Sequence, residues 1–158
     1  MPYTEWLLIG IGSCAVFDLW QRLFQVFTTI PPTNWSLVGR WFIGLISEGR
    51  LFANQLAEQP KEKYETFACW FVHYAVAVVY AGVFGFLIDL GFLHSTPVDG
   101  LAFGIASVVV PWFFFMPAMG NGVLANKTPN PILSCALALI MHSIFGLSLG
   151  IGFSILVT

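Results

Sequence analysis

Four long apolar stretches constrain this chain more than any other feature, because each is long enough to cross a lipid bilayer. A transmembrane helix needs about 20 mostly apolar residues. Backbone polar groups must be satisfied internally in lipid, so spans of this kind are helical. The sequence therefore predicts an all-α, polytopic membrane protein that forms one four-helix transmembrane domain over residues 1–158, with spans at about 6–30, 66–89, 99–119 and 132–157.

Composition supports a membrane location and excludes one class of partner. Of the 158 residues, 58% are hydrophobic and 9% are charged, whereas soluble domains carry about 25% charged residues. The net charge of -2 provides no basic surface to neutralise phosphates, so a nucleic-acid partner is not expected. The expected partners are the lipid bilayer and a small-molecule or ion ligand.

The positions of the basic residues predict how the spans are oriented. Cytoplasmic loops of membrane proteins carry an excess of Lys and Arg. Four basic residues lie between the first and second spans and a fifth lies between the third and fourth, namely Arg40, Arg50, Lys61, Lys63 and Lys127. Both of these connections are therefore predicted to be cytoplasmic, which leaves both termini on the outer, periplasmic face.

The connection after the first span is too long and too apolar to be a simple loop. Pro31 and Pro32 end the span, Asn34 is a candidate N-cap, and apolar residues then recur at helical spacing. This pattern predicts a cytoplasmic amphipathic helix that lies in the membrane interface at about residues 34–52, with a re-entrant half-span as the alternative. The polar run at residues 54–65 is expected to be a solvated turn.

Short motifs are distributed along almost the whole chain. They are Asp18-Leu19-Trp20, Asn34-Trp35 followed by Val38-Gly39-Arg40-Trp41, His73-Tyr74, Pro117 with Met119-Gly120 and Gly122, and His142 followed by Phe145-Gly146. With these motifs the chain resembles a family of small four-span bacterial inner-membrane proteins that is catalogued only as a domain of unknown function. The resemblance implies that architecture and a bacterial inner-membrane location, and it implies no substrate.

Ionisable residues inside the apolar stretches are the strongest functional signal. Asp18 lies about 18 Å into the first span, near the bilayer midplane, and Arg22 lies one turn nearer the cytoplasm. His73 and His142 lie about 10 Å and about 16 Å from the cytoplasmic ends of their spans. Charge at such depth is expensive, so these residues and Gln21 mark one candidate polar layer.

The acid and the base in the first span have two interpretations. Asp18 and Arg22 can form a structural ion pair, because residues four apart share a helix face. Alternatively, Asp18 is a proton carrier or a cation ligand. The two histidines also have two interpretations, since each is either a hydrogen-bonded interior residue or one member of a proton relay or metal pair.

Sulfur-containing side chains near the same depth extend the alternatives to a metal site. Thiolate, thioether and imidazole ligands together suit a soft ion such as Cu(I), although Cys and Met are also ordinary packing residues. The spacings match no recognised metal signature, so the cofactor stays unassigned, and a haem with two axial histidines is disfavoured. The metal candidates are Cys69, His73, Met116, Met119, Cys135 and His142.

The third span contains two prolines. Pro111 and Pro117 each remove a backbone hydrogen bond, and such breaks persist in a membrane only where protein or water satisfies the backbone. The segment from Pro117 to Gly122 is predicted to be unwound, with Asn121 at the cytoplasmic end of the polar layer. The candidate ligand-binding or proton-relay residues are Asp18, Gln21, Arg22, Arg40, His73, Met116, Met119, Asn121 and His142.

The remaining motifs limit the functional alternatives. The glycine pairs Gly100/Gly104 and Gly146/Gly150 predict close approach of helices, within the chain or between copies in a homo-oligomer. The sequence contains no Walker A, GxGxxG, GxSxG or HExxH signature, so an enzymatic activity is not favoured and no catalytic residue is assigned. The first hypothesis is a small transporter or permease with a polar site in its cytoplasmic half. The alternatives are a non-transporting scaffold or accessory subunit, and a metal- or haem-binding membrane protein.

Overall fold

The computed structural model describes residues 3–157, and every regular element within that range is helical. The principal helices are α1 (Tyr3–Thr28), α2 (Trp35–Glu48), α3 (Glu65–Asp89), α4 (Pro97–Ala118) and α5 (Pro131–Leu156). Four of them, α1, α3, α4 and α5, are long and apolar enough to cross a membrane. This confirms the predicted all-α fold with four membrane-spanning helices.

Helix α4 changes its winding where the sequence places proline. It is regular from Pro97 to Ser107, passes through a π-helical turn at Pro111–Phe115, and ends at Ala118. Pro111 has no N–H to donate, and its carbonyl accepts from Met116 five residues later. The predicted break at Pro111 is thus a widened turn in which the helix continues.

The chain forms two compact units. The first comprises the residues before Thr33, Tyr74–Ser107 and the residues after Ala138, while the second comprises Thr33–His73 and Val108–Ala138. Each unit has its own hydrophobic core.

In the first unit, contacts between α1 and α3 show that these helices run antiparallel. Gly10 lies so close to α3 that a methyl group at this position would be 2.9 Å from Val78 Cα. Eight residues further along α1, Asp18 contacts Tyr74, which precedes Val78 in α3. The absence of a side chain at Gly10 therefore sets the spacing of the two helices on the N-terminal side of Asp18 in α1.

The two glycine pairs pack against each other in this unit. Gly100 of α4 lies against Gly146 and Gly150 of α5, and Gly104 lies against Gly146 and the carbonyl of His142. The order of these contacts shows that α4 and α5 are antiparallel, and their backbones touch without intervening side chains. Both glycine pairs therefore make close helix contacts within the chain, which is one of the two predicted alternatives.

Aromatic residues fill the centre of the first unit. Phe84 of α3 packs edge-on against Phe153 of α5 at a centroid distance of 5.1 Å, and it also contacts Phe103 of α4 at 5.2 Å. The buried core residues are Ile9, Cys14, Ala77, Ala81, Phe84, Phe145, Leu149 and Phe153. The segments of α1, α3, α4 and α5 in this unit therefore form a four-helix bundle around a shared apolar core.

In the second unit, α2 packs directly on the first turn of α3. Gly39 lies against the backbone of Glu65, where any side chain would collide. The indole of Trp41 donates from Nε1 to the carbonyl of Leu51 at 2.8 Å. Gly49 follows the last residue of α2 and caps the helix with a left-handed φ of 67°. These contacts hold α2 in a buried core with Ala53, Leu56 and Ala118.

The connection between α2 and α3 is less solvated than its sequence suggests. Leu56 is 4% exposed and Glu65 is 7% exposed. The expectation of a solvated turn over residues 54–65 is therefore wrong at these positions, although Lys61 and Lys63 are exposed as expected. The polar composition hid the burial because Leu56 is the one large aliphatic side chain in this run.

Candidate functional site

The candidate polar residues are divided between the two units. Asp18, Gln21, Arg22 and His142 belong to the first unit, and Arg40, His73, Met116, Met119 and Asn121 belong to the second. Convergence of the two sets in one layer stays a prediction. Within each unit, however, several of these residues have defined partners.

Asp18 lies on the inward face of α1 and is held by a residue of α3. The hydroxyl of Tyr74 donates to Asp18 Oδ2 at 3.2 Å, and both side chains are half-buried. Cys14 and Gln21 share this face at helical spacing, and both are buried, at 1% and 4% exposure. The inward face of α1 is therefore polar over two turns, in the helix that is otherwise apolar enough to cross a membrane.

Arg22 lies on a different part of the α1 surface. Its side chain is exposed, and within residues 3–157 it forms no ion pair or hydrogen bond. The two ionisable residues of the first span thus have different surroundings, with Asp18 turned towards the bundle and Arg22 towards its outside.

His142 is oriented by a serine on the neighbouring helix. Its Nδ1 lies 2.8 Å from Ser107 Oγ, and the Ser107 hydroxyl donates to the carbonyl of Gly104 at 2.7 Å. A hydroxyl carries one proton, so both bonds of Ser107 form together when Nδ1–H of His142 donates to Ser107 Oγ. The ring of Tyr80 meets the imidazole edge-on at a centroid distance of 5.9 Å.

This arrangement differs from a serine nucleophile with a histidine base. A base must accept the hydroxyl proton, whereas Ser107 donates its proton to a backbone carbonyl and is 8% exposed. The geometry gives Ser107 a positioning role towards His142.

In the second unit, Arg40 joins α2 to the start of α3. It donates from Nε to Glu65 Oε2 at 2.8 Å and from Nη2 to Glu65 Oε1 at 3.2 Å. It also donates from Nη1 to the carbonyls of Leu56 and Gln59, at 2.9 Å and 2.8 Å. The bond with Glu65 raises the pKa of Arg40 above its usual value, so the guanidinium stays charged. These bonds use four of the five N–H groups of Arg40, which gives it a structural role at this position.

His73 contacts two indole rings in the second unit. Its ring centroid lies 3.9 Å from that of Trp35, with the planes tilted by 39°, and 5.9 Å from that of Trp70. Trp35 is therefore a partner of His73 contributed by α2.

The segment from Pro117 to Gly122 was predicted to be unwound, but Pro117 and Ala118 are still helical and the chain leaves the helix only after them. Met119 leaves the helical conformation after Ala118, and Gly120 and Gly122 adopt positive φ values of 86° and 75°. The N–H of Asn121 donates to the carbonyl of Met116 at 2.8 Å, so the backbone here turns back on the last helical residues. Met119 packs against the core of the second unit, which is an apolar packing role.

The sulfur-containing metal candidates of the second unit are mostly packed into protein. Cys69 is 1% exposed, and Cys135 is half-buried, with its carbonyl accepting from Trp112 Nε1 at 3.3 Å. Metal binding by these residues stays a prediction.

Three residues that sequence reasoning did not select hold the selected ones in place. Tyr74 could have been found, because it follows the candidate residue His73 in the His73-Tyr74 motif. Glu65 was placed in a solvated run, and Ser107 had no distinguishing feature. Ser143, which is next to His142 in the sequence, instead donates from its hydroxyl to the carbonyl of Leu139.

The four apolar helices and the polar groups set inside them define a multi-pass α-helical membrane protein. Residues 7–156 match the family described as protein of unknown function (DUF2938), and the chain belongs to this family. This confirms the resemblance to a family catalogued as a domain of unknown function. No curated protein and no solved structure matches the chain.

Proposed function

We propose that this protein is a small transporter or permease that moves protons, alone or together with a small solute, through the bundle of the first unit. The observation that carries the proposal is the carboxylate of Asp18, half-buried on the inward face of an apolar helix and bonded to Tyr74. Asp18 lies about 21 Å along α1 from Thr4, slightly past the middle of a candidate span that is about 38 Å long.

The chemistry of Asp18 suits a proton carrier. An ionised carboxylate is costly in an apolar surrounding, whereas its protonated form is neutral. The Tyr74 hydroxyl donates to Oδ2 of Asp18 at 3.2 Å and holds the carboxylate against α3. Acids within membrane spans commonly take part in proton relays, and this is the role that we propose for Asp18.

His142 supplies a second titratable group in the same unit. Ser107 holds Nδ1 of the ring, so we expect Nε2 to be the nitrogen that exchanges a proton. This supports a site that uses acid–base groups on α1 and α5.

The test is proton flux into vesicles that contain the purified full chain. A potassium diffusion potential is imposed, and an internal pH dye reports flux without solute and with small cations, carboxylic acids or amino acids added outside. We expect flux above that of empty vesicles in at least one condition, and a reduction of about tenfold or more in Asp18→Asn. Asp89→Asn is the matched control, because Asp89 is an exposed carboxylate at the end of α3.

Two results would contradict the proposal. The first is equal flux in the wild type and Asp18→Asn. The second is wild-type flux equal to that of empty vesicles in every condition, which would favour a scaffold or accessory subunit.

A further inference from the structure

The last two turns of α1 have a largely exposed surface that carries a cation. Leu23, Val26 and Phe27 are exposed by 45%, 75% and 83% of their surface. Arg22 and Gln25 are exposed beside them. In a helix that crosses a membrane, such a surface faces lipid or another protein.

Arg22 and Gln25 form a polar pair on this surface. They are three residues apart and therefore neighbours on one face of the helix. Within residues 3–157, neither side chain makes a hydrogen bond or ion pair. A guanidinium inside a membrane span without a protein anion needs an anion from elsewhere.

The depth of the pair matches the headgroup region. Arg22 and Gln25 lie about 9 Å and about 4.5 Å before the end of α1 at Thr28. Long arginine side chains extend from such positions towards the interface. Both polar groups can therefore reach the level of the lipid phosphates at this end of the span.

We propose that Arg22 and Gln25 bind the phosphate of an anionic phospholipid, with Val26 and Phe27 against its acyl chains. The planar guanidinium offers two parallel N–H groups that match a phosphate, and the Gln25 amide adds a further donor. A lipid supplies the anion and the apolar chain together, as this surface requires. An anionic headgroup is favoured over a zwitterionic one because it brings no cation close to Arg22.

A second copy of the chain fits this surface less well. Helices that associate in membranes usually do so through small residues that allow close approach. Here the residues around Arg22 are large, and the described glycine pairs of α4 and α5 are already packed against each other. The surface therefore favours a flexible lipid over a rigid helix.

The experiment is native mass spectrometry of the full chain in detergent, titrated with dioleoyl phosphatidylglycerol or dioleoyl phosphatidylcholine. We expect the wild type to bind phosphatidylglycerol more tightly. Arg22→Gln should weaken that binding by about tenfold, from the loss of a charge-assisted bond. Arg22→Lys should weaken it less, because it keeps the charge and loses the fork. Gln25→Leu should also give a smaller loss.

The matched control is Arg50→Gln, because Arg50 is an exposed arginine outside the spans that is paired with Glu48. It should leave phosphatidylglycerol binding unchanged. Equal affinity of the wild type for the two lipids would overturn the proposal, and so would unchanged binding in Arg22→Gln. A fall in the protein's oligomeric mass in Arg22→Gln, with lipid preference retained, would overturn it in favour of a protein partner.

Discussion

Replacing Arg40 with methionine should destabilise the protein far more than replacing an arginine on its surface. Arg40 is 6% exposed and forms two bonds with Glu65, whose side chain is 9% exposed. In Arg40→Met, the Glu65 carboxylate keeps the N–H of Glu62 as a donor but loses its counter-charge. The carbonyls of Leu56 and Gln59 lose their donor as well.

The magnitude follows from the burial of the pair. Removing one partner of a buried ion pair costs about 3–5 kcal/mol, because the other charge is left uncompensated. At the lower end of this range, the melting temperature of a chain of this size should fall by roughly 6–12 °C. Arg50→Met is the control, because Arg50 and Glu48 are 44% and 53% exposed, and an exposed pair contributes at most about 1 kcal/mol.

The assay is thermal unfolding of the purified variants in one detergent, followed by tryptophan fluorescence. A double-mutant cycle with Glu65→Gln separates the pair from its surroundings. The double variant should be more stable than Arg40→Met alone, because no unpaired charge is then buried. Equal losses in Arg40→Met and Arg50→Met, or strictly additive losses in the cycle, would refute this reasoning.

Three further substitutions test the contacts around the other candidate residues by the same unfolding assay. Gly104→Ala should cost about 1–3 kcal/mol because the new methyl group would meet the carbonyl of His142. Gly82→Ala is the control: Gly82 has open space around it, so this change should be neutral or stabilise by up to about 1 kcal/mol. Equal effects of the two substitutions would contradict the close helix contact. Ser107→Ala should cost about 1–3 kcal/mol, because Nδ1–H of His142 loses its acceptor, and an unchanged melting temperature would show that this bond contributes little. Gly39→Ala should prevent α2 from packing on α3, and we expect a loss at least as large as that of Gly104→Ala; wild-type stability would rule out the described contact.

The helices could be predicted from sequence because a span is a local property. About 20 apolar residues define a span, and proline marks where its helical hydrogen bonding is interrupted. The predicted ends of the spans differ from the observed helix ends by at most three residues, and the largest difference is at Tyr3. The form of the break at Pro111 was not predictable, because a kink and a π turn lose the same hydrogen bond.

The partners of the polar residues could not be predicted, because they depend on which helices touch. Arg40 and Glu65 are separated by 25 positions, and Ser107 and His142 by 35. Local periodicity contains no information about such pairs. The sequence therefore identified Asp18, Arg40 and His142 as unusual and left open what each one contacts.

The contact between α4 and α5 limits how the first unit can move. Where Gly100 and Gly104 meet Gly146, backbone touches backbone, so no side-chain rotamer can change to absorb a displacement. Sliding or rolling of one helix on the other would first require the two to separate and lose that contact. Within this bundle, we therefore expect α4 and α5 to move together, and we expect rearrangement to be easier where their neighbours meet them through adjustable side chains.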